Sequence, residues 1–568
     1  MDYEKIAELL FPESCEGTEY YEKKYPPRDL PEGAKVTRLG PSPTGFIHLG
    51  NLYGAFVDER LAHQSGGVFF LRIEDTDDKR QVEGAVRMIT DSLAFFGINF
   101  DEGAFADGDQ GDYGDYTQSH RAPIYHAFAK KLVAEGRAYP CFLTEEEIED
   151  IREAQEEAKL TPGIYGKYAR DRELSYDEVK ANIEAGKPYV VRLKSTGSPV
   201  ESDQGKPAGS EAEGGSGEHG RRIKVKDAIR GILDMPENFH DVVILKKNGI
   251  PTYHFAHAVD DHLMRTTHVV RGAEWLPSLP IHEELFRQLG FELPIYCHTA
   301  QLMKLTPEGN KRKLSKRHDP ELSLGYYREQ GYHPEAVREY LLTILNSNYE
   351  EWRAQNPDAD IDEFEFTTEK MSNSGALFDL NKLNDVSKDT LLRIPASELY
   401  DFLYTWAREY RPEAENALRD REYVEKILDI GRHDQKPRKD FISASQMLDF
   451  ISYFFDDMYA ESVPDEMPEE VPAEDIPVIL EKYLATYDHS DDQSRWFDKI
   501  RSIATELGYA AKPKDYKKNP DQYKGHVGHV STVIRIALMG RSQSPDVHTI
   551  QQIMGEEMVR RRIGAHLA

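Results

Sequence analysis

The stretch Lys35-Val36-Thr37-Arg38-Leu39-Gly40-Pro41-Ser42-Pro43-Thr44-Gly45-Phe46-Ile47-His48-Leu49-Gly50-Asn51 sets the architecture of the first half of the chain. Residues 35–39 read as a short strand, and the glycines and prolines of 40–45 make a turn. Beyond His48-Leu49-Gly50, residues 52–64 put Leu52, Ala55, Phe56 and Leu61 on one side at helical spacing. Gly66-Gly67 then precedes Val68-Phe69-Phe70-Leu71-Arg72-Ile73, an apolar run like a buried parallel strand. Strand, turn, helix and strand make one βαβ unit.

Outward from this unit, a second block from Asp241-Val242-Val243-Ile244-Leu245 to Arg271 again alternates strand and helix character. Between the blocks lie helical patterns at 122–135 and 145–158, and a Gly/Ser/Glu-rich stretch at 195–220 that reads as a flexible loop. The simplest topology is a Rossmann-type α/β sheet split by an inserted domain. Past about residue 330 strand signals fade. Amphipathic helices are expected at 334–345, 421–430, 445–455, 477–487 and 532–539, an all-α half in two subdomains.

The 568 residues carry 71 Lys+Arg against 101 Asp+Glu, a net charge of −30. That excess opposes nonspecific nucleic-acid binding by the whole surface. Local basic tracks remain effective, because salt screens charges beyond about 10 Å. With 39% hydrophobic residues the chain can build real cores, which excludes a disordered protein. Cys15, Cys141 and Cys297 form no CxxC pair, so a disulfide framework or a four-thiolate zinc site is not expected. No run of about eighteen apolar residues suggests a membrane span. The acidic, Tyr-rich first thirty residues lack a signal-peptide layout, and a cytoplasmic setting is expected.

Two motifs carry chemistry. The turn ending in His48-Leu49-Gly50-Asn51 brings an imidazole and backbone amides to a helix N-terminus, which suits phosphate. Gly50 lets a nucleotide approach the backbone. Alone, an HxG triplet arises readily by chance. The second motif is Lys311-Arg312-Lys313-Leu314-Ser315-Lys316-Arg317-His318, with five Lys or Arg in eight positions of an acidic chain. Such a loop can neutralise charge on a transferred phosphoryl group. By itself a run of this kind is more often a solvated basic loop or an RNA patch.

Together and in this order, the two motifs resemble the HIGH and KMSKS signatures of class I aminoacyl-tRNA synthetases. Further blocks are similar to bacterial-type glutamyl-tRNA synthetases: Arg72-Ile73-Glu74-Asp75-Thr76-Asp77, Tyr253-His254-Phe255-Ala256-His257, Val259-Asp260-Asp261-His262-Leu263-Met264, Arg271-Gly272-Ala273-Glu274-Trp275 and Ile534-Arg535-Ile536-Ala537-Leu538-Met539-Gly540-Arg541. The likeness runs from about residue 35 to the end, with 1–33 and 195–220 as extra segments. It implies a Rossmann-type catalytic domain in two halves (34–117 and 246–305) around an acceptor-end-binding insert (118–245). A loop and stem-contact domain (306–395) and a helical anticodon-binding domain (396–568) follow.

The resemblance also implies the site. His48 and Lys316 lead the chemistry, with Lys313 and Arg317 assisting, and Gly50, Asn51, Glu274 and Ser315 help seat ATP. Arg38, Ser42, Glu74, Tyr253, His257 and Arg271 line the amino-acid pocket, where guanidinium groups suit carboxylates and Glu74 the ammonium. Mg²⁺ bridges phosphate oxygens. The expected reaction makes glutamyl-adenylate from L-glutamate and ATP, in a step that needs bound tRNA, then esterifies the 2′-hydroxyl of the terminal adenosine. The expected partner is tRNA(Glu), with tRNA(Gln) an open second acceptor, for a monomeric enzyme with no membrane contact. Lys436, Arg438, Lys439 and Arg560-Arg561-Arg562 are candidate anticodon contacts, each equally readable as a solvated charge.

Two departures bear on this reading. His257 stands where many bacterial relatives have Asn and glutaminyl enzymes have His. Glutamate is still expected, because glutaminyl enzymes have a smaller uncharged residue at the position of Arg271, and an unpaired guanidinium beside a neutral amide is costly. Cys141 stands alone, with Tyr165 and Tyr168 where zinc-binding relatives would supply a partner, so no structural zinc is expected. The alternatives are a glutaminyl-tRNA synthetase, whose C-terminal β-barrels do not suit the helical pattern here, a small HxGH nucleotidylyltransferase, and a non-catalytic tRNA-binding paralogue.

Overall fold

The structure is a computed structural model and describes residues 2–12, 16–43, 47–76, 82–198, 221–315, 317–373 and 375–567. The chain forms two compact units, 1–325 with 341–379, and 326–340 with 380–568. The expected stem-contact segment 306–395 is thus divided between them. Among the described residues, no helix is long and apolar enough to cross a membrane.

The first unit holds the expected βαβ element: strand Val36–Leu39, helix Leu49–His63 and strand Val68–Leu71. The two strands are parallel, register Val36 with Val68, and are buried almost throughout, as their unbroken hydrophobicity requires. Strand Glu102–Phe105 continues the parallel order beyond Val68–Leu71. On the other side His268–Gly272 pairs in parallel with Ile295–Thr299. The two halves meet where Thr267 N–H donates to Val36 O at 3.0 Å. The chain therefore leaves Val36–Leu39 in one direction and returns beside it from the other. That reversal opens a crevice at the carboxyl ends of the strands.

One feature differs from expectation. Strands Arg222–Asp227 and Gly231–Pro236 lie within the stretch assigned to the insert. They join the catalytic sheet instead, with Asp227 paired to Tyr296. Arg222, Lys224 and Lys226 face solvent while Ile223, Val225 and Asp227 point inward. This half-charged alternation fits a sheet margin and carries no sign of which sheet it will join. The insert keeps an antiparallel sheet of Ala138–Cys141, Val190–Leu193 and Val243–Leu245. The strand expected at 241–245 therefore pairs inside the insert.

The described residues of the N-terminal extension fold onto the same unit. Helix Tyr3–Leu10 buries Ile6, Ala7 and Leu10, Tyr25 donates to Gly114 O at 2.7 Å, and Arg28 pairs with Glu102 at 2.7 Å. A hairpin of Leu302–Leu305 and Lys311–Lys313 carries the second motif.

In the second unit, helices from Ala396–Tyr410 to Glu556–Ala565 pack around one continuous core that includes Leu403, Leu448, Ile479, Ile500, Val530, Ile534 and Ile563. Helices distant in sequence share this one apolar interior. Among its described residues this unit has no strand.

Candidate active site

A cavity of about 540 Å³ opens at the strand ends of the first unit. Arg38, Leu39 and Gly40 enter it from one central strand, and Val270, Arg271 and Gly272 from its neighbour. His48, Gly50 and Asn51 come from the helix start, Tyr253 from helix Tyr253–Leu263, and Lys313 and Leu314 from the basic motif. His48 and Lys313, remote in sequence, thus line one chamber.

His48 is the N-cap of helix Leu49–His63. Its Nδ1 accepts the Asn51 backbone N–H at 3.2 Å, and Asn51 Oδ1 accepts the His48 N–H at 3.1 Å. This reciprocal cap uses up Nδ1 as an acceptor and so leaves the proton of the neutral ring on Nε2. A Cβ at Gly50 would meet the His48 ring at 3.0 Å, so a larger residue there would press on the imidazole. Asn51, expected to seat ATP, commits its oxygen to the cap while still lining the cavity.

One side of the cavity is strongly polar. Arg38 Nε lies 3.2 Å and Arg72 Nη1 2.6 Å from Asp261 Oδ1, and Arg72 Nη2 donates to Glu74 at 2.9 Å. Burial opposes ionisation of Asp261, yet the two guanidinium groups outweigh it and hold the carboxyl well below its usual range. Burial raises Glu74 despite Arg72 and Arg38. The Glu74 carboxyl leans over Gly40, where a Cβ would collide with it.

Arg271 is different. Its Nε donates to His298 Nε2 at 2.9 Å, its Nη1 lies 3.0 Å from His282 Nδ1, and its Nη2 is buried without a hydrogen-bond partner. Among the described residues no carboxylate lies within 4.0 Å of it, although it is only 8% exposed.

Other expected residues fall at varying distance from this chamber. His257 is fully buried and stacks behind Tyr253 at 5.9 Å, with Nδ1 2.6 Å from Asp261 Oδ2 and Nε2 3.0 Å from Tyr296 Oη. It touches the pocket only through these neighbours. Ser42 is exposed and outside the lining. Glu274 lines the cavity, is exposed, and accepts from Gln301 Nε2 at 3.3 Å. Ser315 N–H donates to Asp319 at 2.8 Å, and Arg317 is exposed, both outside the lining. Lys316 lies outside the described residues. Arg312, in the same motif, makes a bidentate pair with Asp319 at 2.6 Å on each arm and so stiffens the loop.

Sequence reasoning missed Asp261 and His298 as partners of the pocket arginines, and Gln301 and Trp275 in the wall. His298 is the penultimate residue of strand Ile295–Thr299, at the carboxyl end where an open α/β sheet places its sites. His282, inside helix Leu279–Leu289, gave no signal. In the insert, burial pushes the Cys141 thiol above its usual range. Among the described residues no group of three or more His, Cys, Asp or Glu is placed to hold a metal.

The second unit has a cleft of its own, two adjoining hollows of about 470 and 490 Å³ that share Phe497, Arg501, Ser531 and Arg535. The Arg501 guanidinium sits 4.7 Å from the Phe497 ring centroid. The cationic candidates named from sequence are mostly committed elsewhere: Arg438 to Asp440, Lys439 to Asp389, Arg560 to Glu556, and Arg561 and Arg562 to Asp456. Arg562 is buried and also donates to Leu538 O at 3.1 Å, which makes it a structural residue.

The family described as class I tRNA synthetases (E and Q), catalytic domain, matches residues 35–204 and 217–385. An anticodon binding domain family matches 403–567. The gap at 205–216 falls within the stretch expected to be extra. The glutamate–tRNA ligase of Acetivibrio thermocellus is 60% identical over 99% of both chains, so nearly all of the N-terminal extension has a counterpart there. That of Clostridium perfringens strain 13 is 48% identical over 99% of this chain and 100% of its own. A crystal structure of a glutamate tRNA ligase from Elizabethkingia meningosepticum, in complex with its amino acid, superposes with a TM-score of 0.72 at 27% identity, covering 94% of this chain and 99% of that one. The chain belongs to the glutamate–tRNA ligase family of class I tRNA synthetases.

Proposed function

We propose that the cavity activates L-glutamate with ATP and transfers it to the 2′-hydroxyl of the terminal adenosine of tRNA(Glu). Arg271 carries the choice of amino acid. Arg271 lines the cavity, one nitrogen of its buried guanidinium has no hydrogen-bond partner, and among the described residues no carboxylate lies within 4.0 Å of it. A ligand carboxylate completes it, whereas a glutamine amide leaves the charge unmet.

In the first step an α-carboxylate oxygen attacks the α-phosphorus, and the bond to the bridging oxygen of pyrophosphate breaks. The protein supplies orientation and charge. His48 donates from Nε2 to a phosphate oxygen, and Lys313, with Lys316 from the same loop, neutralises the departing pyrophosphate. Gly50 and Asn51 would border the nucleotide, and Glu274 would hold it or a Mg²⁺ bound with it, an ion that would supply positive charge to the phosphates. Tyr253 and Glu74 face the amino acid, and Glu74 offers an anion for the ammonium. In the second step the 2′-oxygen attacks the acyl carbon, the bond to AMP breaks, and the proton leaves with the phosphate.

For the second unit we propose that Phe497, Arg501 and Arg535 receive unpaired anticodon bases by stacking and cationic contact. A cytoplasmic setting and a monomer suit these substrates. ATP–pyrophosphate exchange with glutamate or glutamine, with and without tRNA(Glu), tests the reading. Exchange with glutamate that depends on tRNA is expected. Equal exchange with glutamine points to a glutaminyl enzyme, and none with either to a tRNA-binding paralogue. Charging of purified tRNA(Gln) decides whether that acceptor is also used.

A further inference from the structure

We propose that His282 and His298 are positioning residues that hold Arg271 through neutral imidazoles, fixing its guanidinium without compensating its charge. The proposal rests on the reading that Arg271 binds the glutamate side chain.

A guanidinium has only donors, so each ring nitrogen facing Arg271 must be an acceptor. That settles the tautomers along a chain of five side chains. His298 accepts from Arg271 Nε on Nε2 and so carries its proton on Nδ1, which donates to Asp227 Oδ2 at 2.7 Å. Asp227 is itself fixed by the backbone N–H groups of Ile229, Arg230 and His298 at 2.8–3.0 Å. His282 accepts from Arg271 on Nδ1 and so donates from Nε2 to His254 Nδ1 at 2.9 Å. Arg271 also lies over the Tyr296 ring, 4.6 Å from its centroid.

Buried arginines are ordinarily paired with carboxylates, as Arg38 and Arg72 are here. Two imidazole acceptors instead satisfy the geometry of Arg271 and leave its full charge for the ligand. His282 and His298 are both wholly buried. Burial holds His282 well below its ordinary range and also lowers His298 against the pull of Asp227. The groups facing His282 are Arg271, His254, His257, Tyr253 and Asp261, and those facing His298 are Asp227, Arg271, Arg230 and Tyr296.

The test compares His282→Gln with His282→Glu, near-isosteric replacements that differ in charge. Each offers an oxygen to Arg271. Gln should keep the glutamate KM near that of the parent. Glu should raise it about tenfold or more, the scale of one charge-assisted hydrogen bond. The KM for ATP should stay unchanged in both. Equal glutamate KM values in folded Gln and Glu variants overturn the proposal. So does a Gln–Glu difference that persists in an Arg271→Ala background, since the histidine would then not act through Arg271. If Arg271→Ala alone leaves the glutamate KM unchanged, the binding reading has failed first.

A second measurement needs only neutral variants. The parent enzyme's glutamate KM should rise only at pH values well below 6.5, where the imidazoles that burial holds neutral finally gain protons and repel Arg271. In the double variant His282→Gln/His298→Gln that rise should shrink to what the titration of glutamate itself gives. An unchanged acid limb in the double variant overturns the proposal.

Discussion

Arg72 Nη1 stands 2.6 Å from Asp261 Oδ1, and Arg38 Nε reaches the same oxygen at 3.2 Å, so one carboxylate anchors two buried guanidinium groups beside the cavity. Glu74 is the second anion of this cluster, through Arg72. Asp261→Asn would leave two cations facing one carboxylate in a closed interior. Breaking a buried pair of this kind costs about 3–5 kcal/mol. Urea unfolding should show that loss, and a stability within about 0.5 kcal/mol of the parent would mean that the cluster is solvated.

The cap of His48 and its chemistry should separate by substitution. His48→Asn keeps an oxygen that can accept the Asn51 N–H, while nothing replaces Nε2 at the phosphates. We expect thermal stability close to the parent and a fall of about 10²-fold in ATP–pyrophosphate exchange, the scale of one transition-state donor. His48→Ala should lose the cap as well, about 1 kcal/mol. Full exchange activity in His48→Asn would move the phosphate donor elsewhere.

Lys313→Ala and Lys316→Ala should both slow exchange, about 10²-fold in the residue nearer the leaving group. Neither should change the glutamate KM, because the pocket arginines lie on other strands. Arg312→Ala should loosen the loop through Asp319 and slow the reaction less than loss of either lysine. Pre-steady-state adenylate formation measures all three.

Arg271→Ala should raise the glutamate KM at least about 10²-fold with a smaller change in kcat. An unchanged KM would make Arg271 a structural residue.

Acid should weaken the fold through His257. Burial pushes its imidazole down to about 4, against the pull of Asp261. The unfolded chain binds the proton near pH 6.5, so stability from this residue is full above that value and declines as pH falls from 6.5 to about 4. By pH 5 the loss should be about 2 kcal/mol relative to pH 7.5. In His257→Asn that part of the pH dependence should vanish, as urea midpoints at the two pH values will show.

Phe497→Ala and Arg535→Ala should each raise the KM for tRNA and leave those for ATP and glutamate alone, since the cleft they line lies wholly within the second unit. A stacking contact is worth about 1–3 kcal/mol per base. Equal charging kinetics in both variants would place the anticodon on another face.

The βαβ unit, the HxG turn, the basic motif and the helical second half were legible from residues alone. Each is written in local periodicity or turn chemistry: the apolar run of 68–71, the glycines and prolines of 40–45, the helical spacing from residue 396 onward. The family resemblance, not any local pattern, named Arg38, Glu74, Tyr253 and Arg271. Tertiary structure alone decided what those residues touch. Strand Arg222–Asp227 joined a sheet whose neighbour lies about seventy residues away, and nothing in its alternation names that partner. His257, placed by motif in the pocket, is turned by its helix into the layer behind Tyr253. His282 and His298 meet Arg271 only because a helix and a strand converge on it, a juxtaposition across the fold that no sequence interval encodes.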